Sequence, residues 1–226
     1  MVIVCEHASA RLPPWLKATP PDLPLLYTHW ALDIGVRGLA EALVARSSSV
    51  AVCAEFSRLV CDANRAVEDP SFIVSEVQGH RLSFNRQIDS VERRRREALH
   101  AAYHQKIDET IDRRKALGGD FLLLALHSFT PIFAGAKRDF AAGVLFDENA
   151  EDWVGPVAAG LSARGLSARL NEPYSGRDGL IYSVWRHGRL HDLPYFEIEI
   201  RQDFLGDDQQ IASVADKVLE SLSYLL

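Results

Sequence analysis

Two short, wholly apolar runs each deliver the chain directly into a histidine. Val2-Ile3-Val4-Cys5 leads into Glu6-His7, and Phe121-Leu122-Leu123-Leu124-Ala125-Leu126 leads into His127-Ser128. An apolar run of four to eight residues with no polar alternation predicts a buried strand. In α/β proteins, buried parallel strands end in the polar loops where sites are built. A strand that ends in a histidine also presents a ligand on a backbone the sheet holds still. One such histidine more often simply packs or caps, but two at matching positions make a joint role worth pursuing.

The segments between these runs fit an α/β plan. Prolines at 13, 14, 20, 21 and 24 deny residues 13–24 a helix interior. Residues 29–46 carry a rough apolar face through Ala31, Leu32, Leu39, Leu43 and Val44, and predict a helix. Strands are predicted at 49–56 and at Leu59-Val60-Cys61. Residues 66–88 show no period and predict a surface excursion. Over 90–117, Val91, Leu99, Tyr103, Ile107 and Ile111 recur four or eight apart and predict a long helix that stops at Gly118-Gly119. Strands at 142–146, 167–170 and 194–200 and helices at 150–164 and 209–225 complete the pattern. Strands alternating with helices predict an α/β sandwich around a mostly parallel sheet. With no Pro/Gly/Ser-rich linker, residues 1–226 are expected to form one domain.

Composition narrows the class. Lys and Arg number 25 against 31 Asp and Glu, a net charge of −6, which speaks against a general nucleic-acid binder. Cys5, Cys53 and Cys61 cannot all pair within one chain, and a reduced, cytoplasmic setting is expected. No apolar run approaches the roughly 20 residues a membrane span needs, so no membrane partner is expected.

The chemistry-bearing residues fall into clusters. His29 and Asp33 are four apart, on one face of the predicted helix. Either could complete a His/His/carboxylate zinc site with His7 and His127, although a His-x-x-x-Asp spacing alone is weak. Ser57-Arg58-Leu59-Val60-Cys61-Asp62-Ala63-Asn64-Arg65 sets arginine forks and an amide around a short apolar stretch, a pattern suited to a carboxylate and equally to a plain turn. Glu197 and Glu199 share one side of the 194–200 strand, with Arg201 beyond them. A carboxylate there must be paired or put to use as a general base, and one of the two glutamates is expected to face solvent. Arg93–Arg96 and His100/His104 read mainly as helix-face residues.

Together and in order, these segments resemble the N-formylglutamate amidohydrolase family. The matching stretches include Cys5–Pro13, His29–Gly35, Phe56–Arg65, Tyr103-His104, Leu126–Pro131, Asn171–Gly176 and Ile198–Asp203. The family is distantly similar to zinc carboxypeptidases and aspartoacylases, which implies a three-layer α/β/α sandwich with a mostly parallel, mixed central sheet, phosphorylase/hydrolase-like in plan. The resemblance implies a Zn2+-dependent amidohydrolase acting on a small acidic N-acyl amino acid such as N-formyl-L-glutamate. It implies His7 and His127 as zinc ligands, Glu199 as general base and Arg58 facing the oxyanion. Asn64, Arg65, Arg177 and Arg201 would grip the substrate, with Asp62, His29 and His104 in support. The carboxypeptidase-like relatives write their first ligand pair as His-x-x-Glu. Here Ala10 stands in the glutamate's place, so a carboxylate must come from elsewhere: Asp33 first, with Glu6 and His29 as alternatives. Two rival readings are a zinc hydrolase of another N-acyl amino acid or short peptide, and a non-catalytic binder of an acidic metabolite.

Overall fold

The computed structural model describes residues 1–148 and 150–225. The first apolar run is strand β1 (Val2–Cys5), and the chain crosses a proline-rich loop to helix α1 (Val36–Arg46) and strand β2 (Val50–Cys53). A small hairpin, β3 (Glu76–Val77) and β4 (His80–Arg81), interrupts the long excursion before helix α2 (Ser90–Ala116). Strand β5 (Leu123–Phe129) follows, then a second small hairpin, β6 (Ile132–Phe133) and β7 (Ala136–Lys137), and strand β8 (Ala142–Leu145). Helix α3 (Glu151–Ala163), strand β9 (Ala168–Leu170), helix α4 (Tyr182–His191), strand β10 (Tyr195–Arg201) and helix α5 (Asp208–Leu222) complete the chain.

Six strands form one sheet in the order β2-β1-β5-β10-β8-β9. All neighbours are parallel except β10 and β8, which run antiparallel. Alternation along the strands builds two cores. Ile3, Cys5, Leu124, Leu126, Phe196, Ile198 and Ile200 pack against the apolar faces of α1, α3 and α5. Val2, Val4, Leu123, Ala125 and Tyr195 point the other way, toward Tyr103, Ile107 and Ile111 of α2 and Val184 of α4. The predicted three-layer sandwich and mixed sheet are thus observed. Among the described residues, no helix is long and apolar enough to cross a membrane.

Several local expectations need correction. Helix α1 begins at Val36, not at residue 29, because Gly35 breaks the run with φ +81. A Cβ there would also come within 2.4 Å of the Leu205 Cβ, so both conformation and space favour glycine. Leu59-Val60-Cys61 belongs to a turn rather than a strand, although its apolar side chains are buried. His127 lies within β5, not after it. Helix α4 was not foreseen, and Val91 is exposed rather than part of the buried stripe of α2.

The largest correction concerns the polar residues of α2. Arg96 is fully buried, not part of a solvated face. Its guanidinium donates to the Val60 carbonyl (2.9 Å), the Phe84 carbonyl (2.7 Å), the Asn85 side chain and Glu92 (2.9 Å), and so ties the excursion to the helix. His100 and His104 are buried as well. Asp22, also buried, accepts from Thr19, Ser83 and His80 and closes the excursion from the other side.

Candidate active site

The sheet alternation decides what reaches the site. Counting by twos along β1, β5 and β10 places Glu6, His127, Glu197 and Glu199 on the α2/α4 face, at the C-terminal ends of three parallel strands. Glu199 lies beside His127 in the β5/β10 register. This end of the face forms the floor of a cavity of about 300 Å³, walled by the 57–77 excursion, Trp30, Phe133 and Tyr174.

His7 follows β1 in a turn, and its carbonyl accepts the backbone N–H of Asp33 (2.9 Å), which docks the loop before α1 onto the strand end. Asp33 Oδ2 in turn lies 2.9 Å from His127 Nδ1, accepts the Ser128 backbone N–H (3.1 Å) and stands 3.4 Å from His7 Nδ1. The other face of His7 meets Asp62: Nε2 lies 2.7 Å from Oδ1. His127 Nε2 lies 2.9 Å from Glu6 and 3.5 Å from Glu197. Arg58 donates to Asp62 (2.7 Å), approaches Asp33 to 3.7 Å and keeps part of its guanidinium toward the cavity. The turn at 57–60 aims it there, held by Ser57 Oγ donating to the Ala31 carbonyl (2.8 Å).

The electrostatics of this cluster are unbalanced. Glu6, Asp33, Asp62, Glu197 and Glu199 are all buried, against Arg58 and two histidines. Burial pushes Glu197 and Glu199 up to about 8, and the neighbouring carboxylates Glu199 and Glu6, for the first, and Asp33, for the second, push the same way. Burial also opposes ionisation of Asp33 and Asp62, yet both are held below the usual carboxylate range: Asp33 chiefly by the two histidines, Asp62 chiefly by Arg58 and His7. His127, despite burial, is held well above the ordinary imidazole value by Glu197, Asp33 and Glu6.

A metal fits this donor set. Among the described residues, ligand atoms of His7, Asp33 and His127 lie within 4.8 Å of one another, as do those of His127, Glu197 and Glu199. Four buried atoms here have no hydrogen-bond partner: Glu6 Oε1, His7 Nδ1, Glu197 Oε2 and Glu199 Oε2. With its Nε2–H given to the Asp62 carboxylate, His7 turns an unpartnered Nδ1 lone pair toward Asp33. That is the carboxylate–histidine arrangement that orients metal ligands. A divalent cation would also offset the surplus of buried negative charge.

The other candidates divide. Asn64 and Arg65 line the cavity beside Arg58. Asn64 already donates to the Leu180 carbonyl (3.1 Å) and accepts from the Ser183 N–H (3.0 Å), while Arg65 holds Ser71 Oγ (3.2 Å) and the Asn64 carbonyl (2.7 Å). His29 sits on the cavity wall against Trp30, in a turn rather than on a helix face shared with Asp33. Arg177 lies over the Phe146 ring in a separate cleft, and Arg201 is engaged by Asp203 and the Arg138 and Phe140 carbonyls, so neither joins this group. His104 lies behind the 62–65 loop and reaches the Ala63 carbonyl (3.1 Å). Glu197 is as buried as Glu199, which corrects the expectation that one glutamate faces solvent. The same alternation that singled out Glu199 puts Glu197 on its face, and that signal was available in the sequence.

The sequence profile of the N-formylglutamate amidohydrolase family matches residues 1–205. A crystal structure of a gene product from Agrobacterium tumefaciens superposes with TM-score 0.88 at 31% identity, covering 99% of this chain and 90% of that one. A crystal structure of N-formylglutamate amidohydrolase from Ralstonia eutropha shares the fold, with TM-score 0.73 at 19% identity over 99% of this chain and 92% of that one. No curated protein matches the sequence.

Proposed function

Since the chain belongs to the N-formylglutamate amidohydrolase family, whose members hydrolyse amide bonds, we propose that it cleaves the amide of an N-formyl or other N-acyl acidic amino acid, N-formyl-L-glutamate being the model substrate, with Zn2+ as cofactor. The observation that carries the zinc part is the orphaned His7 Nδ1 beside Asp33 and His127 in a pocket overloaded with carboxylates. His7, Asp33 and His127 would hold the ion, which would supply Lewis acidity toward water and the carbonyl.

The protein groups account for the rest. Glu199 holds the proton lost by the attacking water at its unpartnered carboxylate and passes it to the leaving nitrogen as the C–N bond breaks. Formate, or the corresponding acid, and the free amino acid are then the products. Arg58 turns its exposed edge toward the oxygen that gains charge, a donor role typically worth about 3 kcal/mol. Arg65, with the remaining Asn64 amide proton, fixes a substrate carboxylate so that the scissile bond lies over the floor. A net-acidic chain thereby presents a locally positive grip.

The cavity wall supports a second reading. Trp30, Leu59, Val74, Val77 and Phe133 give it a substantial apolar side, which suits a more apolar N-acyl amino acid or a short peptide. A panel of N-formyl and N-acetyl amino acids and short peptides, assayed with zinc-loaded and chelator-stripped protein, decides the matter. Zinc-dependent hydrolysis with a preference for acidic amino acids is expected. A preference for apolar ones establishes the second reading, and failure on the whole panel overturns both.

A further inference from the structure

Away from the cavity, a second set of donor atoms converges between α2 and α4. Asp108 and Asp112 stand four apart on α2, and His187 and His191 four apart on α4, so each pair shares a helix face. Asp108 Oδ1 lies 2.7 Å from His187 Nδ1 and 2.8 Å from His191 Nε2. The outer nitrogen of His191 faces Asp112 at 3.9 Å. His187 is fully buried, whereas Asp108 and His191 are reached by solvent.

The hydrogen bonds behind this cluster limit what it can be. His104 Nε2 lies 3.1 Å from the Ala63 carbonyl, and His100 Nε2 lies 2.9 Å from the Arg65 carbonyl. A carbonyl only accepts, so satisfying both requires an N–H at each Nε2. A neutral His104 then offers a lone pair at Nδ1, 2.8 Å from His187 Nε2, which must donate to it. A neutral His187 is left with a bare Nδ1 aimed at a carboxylate oxygen. In this hydrogen-bond arrangement two lone pairs face each other across 2.7 Å. Two contacts run against this tautomer: Arg186 comes within 3.2 Å of His187 Nε2, and His100 Nε2 lies 3.1 Å from His104 Nε2 although both would carry N–H.

A cation between the facing lone pairs resolves the conflict, and we propose that Asp108, His187 and His191 form a second divalent transition-metal site, separate from the cavity. Two neutral imidazoles and one carboxylate suit Zn2+ and its neighbours, and solvent at Asp108 leaves room for a fourth ligand. Reaching tetrahedral ligand spacing, roughly 3.3 Å between donors, needs the facing pairs to open by only about 0.5 Å. The backing contacts are of the kind that orient metal ligands: His187 donates to His104, and His191 faces Asp112. This site does not depend on the hydrolase reading.

The test is a Co2+ titration of the chelator-stripped full chain, followed by visible absorption and calorimetry, on wild type, Asp108→Asn, His191→Gln and His127→Ala, each first shown to be folded by circular dichroism. Wild type is expected to bind one more equivalent than Asp108→Asn or His191→Gln, and to retain the helix-site equivalent in His127→Ala. Stoichiometry and affinity unchanged in both Asp108→Asn and His191→Gln would overturn the proposal. A single equivalent lost in His127→Ala alone also removes the helix site and leaves the cavity reading standing. A single equivalent lost in His191→Gln alone upholds the helix site and counts against zinc in the cavity.

Discussion

Arg96 on α2 and Glu199 on β10 are both ionisable groups taken out of water, and the fold treats them oppositely. Arg96 spends its donors on two carbonyls, an amide oxygen and Glu92. Glu199 keeps an oxygen with no partner, next to Glu197 in the same state. Burying a charge is costly unless it is paired and hydrogen-bonded. Where the protein meets that cost in full, the group is architecture: Arg96 pins the excursion that forms the cavity wall. Where it leaves the group wanting, the deficit lies on a cavity floor at the ends of three strands. Buried polar atoms left without a partner, more than burial or charge alone, mark the cavity floor.

The comparison can be broken at either end. Glu199→Gln keeps the shape and removes the proton acceptor. Turnover is expected to fall by roughly 10²–10⁴-fold with zinc content and melting temperature preserved; undiminished turnover in the zinc-loaded variant would sink the base assignment. Arg96→Met is expected to do the reverse. It leaves Glu92 and the carbonyls without their donor and should cost about 3–5 kcal/mol in urea unfolding, while protein kept folded in the cold still turns over. A loss below about 1 kcal/mol would show that Arg96 is not the pin.

Asp22 repeats the test with a carboxylate. Burial pushes it up, but Ser83, His80 and Thr19 outweigh burial and hold it below the usual range. Its contribution is therefore present above pH 4 or so and is lost as pH falls through the lowered folded value. Asp22→Asn should cost roughly 1–3 kcal/mol at pH 7 and flatten the acid limb of the stability curve; an unchanged acid limb would contradict this. The smallest effect concerns the floor itself. With Glu197 and Glu199 at about 8, both are largely protonated at pH 7 before a cation arrives. Zinc binding should release at least one proton, seen as a dependence of the calorimetric heat on buffer ionisation. Apparent affinity should weaken about tenfold per pH unit below 7 for each proton released. Heats independent of the buffer would mean the floor is not the ion's binding place.

Legibility in the sequence followed the range of the physics. The sheet was readable because β1, β5 and β10 announce themselves by apolar runs and two-residue alternation, and the same alternation lifted His127 and Glu199 out as candidates. Helix α4 was missed because its buried face includes Ser183 and His187, which look polar until α2 is laid against them. Arg96, His100 and His104 were misjudged for the same reason: their partners lie at Val60, Phe84, Arg65, Ala63 and His187, far along the chain. The start of α1 was misplaced because Ala31 and Leu32 continue its apolar face through a turn that Gly35 ends.

The β6–β7 hairpin differs from the rest of the cavity boundary. Every residue from 132 to 137 is exposed, and its turn places Ala134 and Gly135 at positive φ, a compact closure. Phe133 nevertheless lends its ring to the cavity wall. Reacting groups therefore stand on strands that hardly tolerate change, while part of the selectivity stands on a detachable loop. Grafting hairpins of other length and side-chain size between Pro131 and Arg138 is a direct route to shifting which acyl amino acids fit, and related chains could diverge in diet without touching their catalytic floor.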